Sequence, residues 1–230
     1  MVSAHGFPEH GLSAAEVQTR LEGFRGTGAD WHGGRVPIFV FHADDALKDV
    51  SQAAFNTFFS ENAQGLTAFP GVGTMQDDVT AAALALLNAG PDGDAILTSG
   101  GTESIFLAVQ CARDHARAKN PDMRRPNIVM PWSGHPAFDK AARYLDLTIR
   151  RVPIRADFTA DPQAMADAVD GDTVMIVASA PSFPHGVMDP IAEIGAWACD
   201  RDLWMHVDAC VGGYLAPFVR RLGHDIPAFD

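Results

Sequence analysis

From residue 94 to residue 207 the chain alternates, without exception, between short apolar runs and longer amphipathic ones. The short runs, 94–98, 127–130, 148–152, 173–178 and 203–207, are rich in Val, Ile, Leu and Met and read as strands. Between them, 103–119, 136–145, 162–169 and 190–200 read as helices, the third opened by Asp161 as cap and Pro162 at the first position. Strict strand–helix alternation with nearly continuous apolar strands predicts an α/β fold: a mostly parallel sheet with helices on both faces. Such a sheet binds ligands outside the carboxyl ends of its strands.

Polar clusters fall at those ends. They are Ser99-Gly100-Gly101-Thr102, the run from Pro131 to His135, the run from Ser179 to Pro184, and Asp208. Gly100-Gly101-Thr102 reads as a strand-to-helix turn whose backbone N–H groups and helix dipole suit a phosphate. It has neither the G-x-G-x-x-G spacing of a dinucleotide site nor the Gly-Lys-Ser/Thr of a P-loop, and an ordinary turn is an equal reading of these residues alone. Asp208 ends a buried strand, as a lone carboxylate or as a turn aspartate. His206, two residues earlier, shares its face, as packing or as a partner to Asp208. His135 stands where an imidazole can stack on an aromatic cofactor or simply enter a helix. The proline-bracketed loop from Ser179 to Gly186, with His185 in it, is stiff enough for a pocket wall or a plain connection. A phosphate cradle with one buried carboxylate is the pair that pyridoxal phosphate requires: one holds the phosphate, the other keeps the pyridine nitrogen protonated.

Ahead of the alternating region, Ser13 to Glu16 is a capping box for a helix to about residue 25, stopped by Gly26 and Gly28. An extended run is expected at 36–41, a helix from Asp44 or Asp45 to 61, irregular chain at 62–73 and a helix at 75–89. Residues 1–73 read as a helical segment with pocket loops, and 74–230 as a partial cofactor-binding domain. The net charge of −12 disfavours nucleic acid and anionic membranes as partners. No run is apolar and long enough to span a bilayer, and 1–11 lacks the pattern of a signal peptide, so a cytoplasmic protein is expected. Cys111, Cys199 and Cys210 have no paired spacing. His185, His206, Asp208 and Cys210 match no zinc pattern, so no metal is expected. No G-x-S-x-G elbow supports a hydrolase.

Four segments carry a resemblance when taken in order: Thr98 to Ser104, His135 to Ala142, Ser179-Ala180-Pro181 with Phe183 to Gly186, and His206 to Cys210 with Gly212-Gly213. From about Trp31 onward the chain resembles the group II pyridoxal-phosphate decarboxylases, and within them the sphingosine-1-phosphate lyases. The resemblance implies an aspartate aminotransferase-like (type I) fold, C-terminally incomplete. It implies that Gly100, Gly101 and Thr102 hold the cofactor phosphate, that His135 stacks on the ring, that Asp208 pairs with the ring nitrogen and that Ser179 lies near the cofactor. Asn62, in the segment from Phe58, and His185 would line the pocket for a small amine substrate, in a homodimer. In that family the lysine that carries the cofactor follows the aspartate. Here the lysines are Lys48, Lys119 and Lys140, and none follows Asp208. The expectation is therefore an N-terminal fragment, with residues 223–230 reading as mid-domain sequence.

Overall fold

A computed structural model describes residues 10–25, 28–33, 35–36, 40 and 42–227. The chain divides into two compact units, Met1–Glu61 and Asn62–Asp230. The extended run expected at 36–41 and the Gly26 stop lie mostly or wholly outside the described residues.

In the first unit, α1 spans Ala14–Arg25 and α2 spans Asp45–Thr57. The capping box is reciprocal: Ser13 N donates to the Glu16 carboxylate at 2.8 Å, and Glu16 N donates to Ser13 Oγ at 3.3 Å. Asp44 caps α2 by accepting from Leu47 N at 2.7 Å. This helix closes at Thr57, short of the expected 61, with Phe58 as its C-cap.

The second unit contains α3 (Pro70–Leu86), α4 (Gly101–Lys119), β1 (Asn127–Pro131), α5 (Ala137–Leu145), β2 (Thr148–Val152), α6 (Pro162–Ala168), β3 (Thr173–Ser179), α7 (Ile191–Asp200), β4 (Met205–Asp208) and α8 (Gly212–Arg221). Pro70 opens α3 as a first-turn proline, so the helix starts before the expected 75. The four strands form one sheet in the order β2-β1-β3-β4, and every pair is parallel. The chain leaves β1 for one side of the sheet and then returns to β3 on the other. The switch point therefore lies between β1 and β3.

Alternation along the strands divides the core in two. Ile128 and Met130 of β1 and Met175 and Val177 of β3 pack with Val109 of α4 and Phe138 of α5. Val129, Ile176 and Ala178 point the other way, onto Met165 of α6 and Ile194 of α7. Both faces are covered, as the apolar strands require.

Two expectations are corrected. Residues 94–98 form no strand, and Ile96 and Leu97 are exposed. The run has strand composition, but a strand exists only in a ladder, and no described residue pairs with it. Helix α8 is not among the expected elements; it opens on Gly212 and Gly213 and carries Pro217 in its interior, residue types that disfavour a helix. Its first turn sits against the loop after β3: Gly212 N donates to Ala180 O at 3.0 Å. A Cβ on Gly212 would collide with that oxygen, so only glycine permits the approach.

Candidate active site

At the carboxyl edge of the sheet a cavity of about 490 Å³ opens between the start of α4, the loop after β1 and the end of β4. Gly101 and Thr102 line it from α4, His135 from the β1–α5 loop, and His206, Asp208 and Cys210 from β4 and the turn beyond. His135 and Asp208 meet here because parallel strands deliver their following loops to one edge, while Gly101 and Thr102 are brought to it by α4, which packs on α5 and β3.

The wall at α4 is built by its own turn. Gly100 takes φ 157° and ψ 168°, a region that essentially only glycine enters. Glu103 turns back to accept from Ser99 N at 2.7 Å, and the Ser99 side chain, with that N–H, holds its carboxyl below the usual range. Thr98 Oγ1 and Ser104 Oγ share a 2.7 Å hydrogen bond across the same turn. Gly100 O accepts from Glu103 N and Ser104 N, while Gly101 N–H and Thr102 N–H find no acceptor among the described residues. A Cβ placed on Gly101 meets nothing within 4 Å. Packing among the described residues thus does not require glycine there.

His135 is half-buried, and its Nδ1 accepts from Ala137 N at 3.1 Å. In the neutral ring the proton therefore resides on Nε2. Asp208 Oδ1 accepts from Cys210 N at 3.3 Å, which leaves carboxylate capacity free for the cavity. His206 packs edge-on against Phe138, ring centroids 5.4 Å apart. Burial pushes its imidazole below the ordinary value, with Asp208 opposing that shift.

Ser179 is buried at the last rung of the β3–β4 ladder, opposite Asp208. Its surroundings were not legible in sequence. Asp189, almost fully buried, accepts from Ser179 N at 2.8 Å and Ala160 N at 2.7 Å, and its own N–H donates to Ser179 O at 3.1 Å. Burial raises the Asp189 carboxyl. Four candidates, Gly100, Ser179, Asn62 and His185, do not line the cavity. His185 stacks on Phe158, centroids 4.6 Å apart, and Asn62 caps a short 3-10 turn at Ala63–Gly65. Lys140 lies in α5 and lines a neighbouring hollow with Ser99, Thr102 and Glu103. His185, His206, Asp208 and Cys210 do not converge as metal ligands. Among the described residues His32, His42 and Asp45 come together, but Asp45 already pairs with Lys48 at 3.7 Å and Trp31 stacks on His32.

A doubly covered parallel sheet thus brings an anion-ready helix start and a strand-end carboxylate to one cavity. The family model for the pyridoxal-dependent decarboxylase conserved domain matches residues 72–230, and the chain belongs to that family. It is 37% identical over 219 residues to mouse sphingosine-1-phosphate lyase 1, covering 95% of this chain and 38% of that protein. It is 39% identical over 231 residues to the Arabidopsis thaliana sphingosine-1-phosphate lyase, covering 97% and 42% respectively. The solved Burkholderia pseudomallei sphingosine-1-phosphate lyase superposes with a TM-score of 0.87 at 32% identity, over 99% of this chain and 54% of that one. The fold is that of the type I pyridoxal-phosphate enzymes. The chain spans about 40% of the length of these curated relatives.

Proposed function

We propose that this sequence forms the cofactor-binding part of a pyridoxal-phosphate-dependent carbon–carbon lyase acting on a phosphorylated amino alcohol. The observation that carries the reading is the convergence of Gly101, Thr102, His135 and Asp208 on one cavity. The unpaired N–H groups of Gly101 and Thr102, with the positive end of α4 behind them, would bind the phosphate. Gly100 would let the cofactor approach the backbone. Asp208 would hold a proton on the ring nitrogen, and the His135 ring would cover one face. His206, kept neutral by burial, places no second cation beside Asp208, so the carboxylate charge acts on the cavity. Bound there, pyridoxal phosphate supplies an electron sink for a bond breaking beside the substrate amine.

The similarity to sphingosine-1-phosphate lyases favours a retro-aldol cleavage that yields an aldehyde and ethanolamine phosphate. An amino-acid decarboxylase of the same family would use the same residues and lose carbon dioxide instead. A third reading is a homologue that binds ligand or partner without chemistry, which the lack of a lysine after Asp208 favours for these 230 residues alone. Ser179, Asn62 and His185 belong to the proposal as residues near cofactor and substrate. A homodimer in the cytoplasm completes it. Among the described residues no helix is long and apolar enough to cross a membrane.

The test has two parts. The 230-residue chain is titrated with pyridoxal phosphate, and a longer protein that carries this sequence with a following lysine is assayed on sphingosine-1-phosphate and on amino acids. Binding with aldehyde release supports the lyase. Carbon dioxide release without aldehyde replaces it with the decarboxylase, and binding with neither product selects the third reading. Failure of the chain to bind the cofactor overturns the assignment of the cavity.

A further inference from the structure

Arg151 lines no part of the cavity, yet it holds the loop that presents His135. It lies on β2, where alternation places it on the same face as Ile149, toward α5. Its Nη1 shares its two hydrogens among three carbonyls at the end of β1 and in the loop that follows: Pro131 O at 3.2 Å, Trp132 O at 3.2 Å and Gly134 O at 3.3 Å. Its Nη2 donates to the Asp139 carboxylate in the first turn of α5 at 2.6 Å. The guanidinium side chain is only 17% exposed. The cation is thus enclosed, and both its charge and its donors are matched by the segment it holds.

The loop has little else to hold it in shape. Trp132 N donates to Val152 O, and Gly134 N closes a turn onto Pro131 O, both at 3.0 Å. Ser133 Oγ is buried without a partner among the described residues. Trp132 is exposed. The carbonyls of Trp132 and Gly134 are fixed by Arg151, and Gly134 immediately precedes His135. On the other flank of His135, Asp139 fixes the start of α5, from which Ala137 N binds the imidazole. One guanidinium therefore spans both ends of the segment 131–139 that carries the histidine.

We propose that Arg151 is the positioning residue for His135: it fixes the angle of the imidazole and the placement of its Nε2 proton. For its part in ligand binding this rests on the pyridoxal-phosphate reading of the cavity. A lysine cannot replace it, because one ammonium cannot reach three carbonyls and a carboxylate in the plane that a guanidinium fork provides.

The test uses the 230-residue chain, with histidine side chains observed by ¹⁵N NMR and pyridoxal phosphate as titrant. Wild type should show His135 as a single Nε2–H tautomer. Arg151→Met should average the His135 tautomers and weaken cofactor binding by about tenfold. Arg151→Lys keeps the charge and most of the side chain, and should show the same tautomer averaging. Should the methionine variant fail to fold, the lysine variant decides alone. Arg150→Met serves as the control. Arg150 faces the other side, where it binds Ala168 O at 2.9 Å and pairs with Asp170. Its loss should lower thermal stability and leave the His135 signal and the affinity in place. A wild-type tautomer pattern in folded Arg151→Lys overturns the proposal, and so does an equal change in Arg150→Met. If the tautomer shifts in the Arg151 variants while no form of the chain binds pyridoxal phosphate, the positioning role stands and the cofactor reading fails.

Discussion

Val177 and His206 are partners in the β3–β4 ladder, and two residues further on the same ladder pairs Ser179 with Asp208. In a parallel pair, partners share a face. Val177 packs in the core with Phe138, and His206 meets the Phe138 ring, so Ser179 and Asp208 continue that face out of the core to the sheet edge. The carboxylate is thereby carried on a rigid strand end rather than on a loop.

Asp208→Asn should separate binding from chemistry. An amide preserves shape but does not keep the ring nitrogen protonated. In an active enzyme containing this sequence, turnover should fall by about a hundredfold or more while the cofactor stays bound. Absorbance of bound cofactor and the steady-state rate check both. Near-wild-type turnover would remove Asp208 from its proposed role.

Gly101→Leu should do the opposite of a packing mutation. The new side chain enters open space and improves helix propensity, so the melting temperature should hold or rise slightly. Pyridoxal-phosphate affinity should drop about tenfold or more, because the side chain takes the room a phosphate needs. Unchanged affinity with a lost fold would make this a turn glycine only.

His206 gives a pH signature. Its folded-state pKa lies below the ordinary histidine value because burial disfavours the cation. As pH falls through about 6.5, the unfolded chain takes up a proton before the native one does. Stability is therefore fully present above that range and declines as pH drops toward the folded value. His206→Gln should flatten this part of the curve, as urea titrations at pH 7.5 and 5.5 would show. An identical slope in the variant would refute the assignment.

The 230-residue chain should have no lyase activity by itself. Lys48 pairs with Asp45, Lys119 pairs with Asp202 at 2.7 Å, and Lys140 lines the hollow beside the cavity, not the cavity. Borohydride reduction with pyridoxal phosphate, followed by peptide mapping, should find no stoichiometric label on any of them. Site-specific labelling with turnover would contradict this.

Much of the architecture was legible because it is local and periodic. The alternation of apolar strands with capped helices fixed the layers, and Ser13, Asp44 and Asp161 act as the caps their spacing implied. Position at strand ends brought Gly101, Thr102, His135 and Asp208 into one set of candidates. What stayed hidden depends on partners far along the chain. Residues 94–98 have the composition of a strand, but pairing is not local. Asp189 and Arg151 carry no signal of their roles, since nothing in their neighbours in sequence says that distant backbone groups surround them. Helix α8 was concealed by glycines that serve close approach and by a proline in its interior.

Asp189→Ala should cost about 2–4 kcal/mol, because it strands the buried N–H groups of Ser179 and Ala160. Denaturant unfolding measures this. A loss below about 1 kcal/mol would show that those groups find other acceptors.

The bonds between Ser179 and Asp189 also close the base of the loop they flank. Inside it, Ser182 N donates to Val187 O and Gly186 N to Ser182 O, both at 2.8 Å. A loop closed at its root in this way is modular. Phe183, Pro184 and His185 at its tip can be exchanged for other residues while the root holds the strand end beside Asp208 in place. Sequence change at the tip therefore leaves the geometry of the strand end undisturbed.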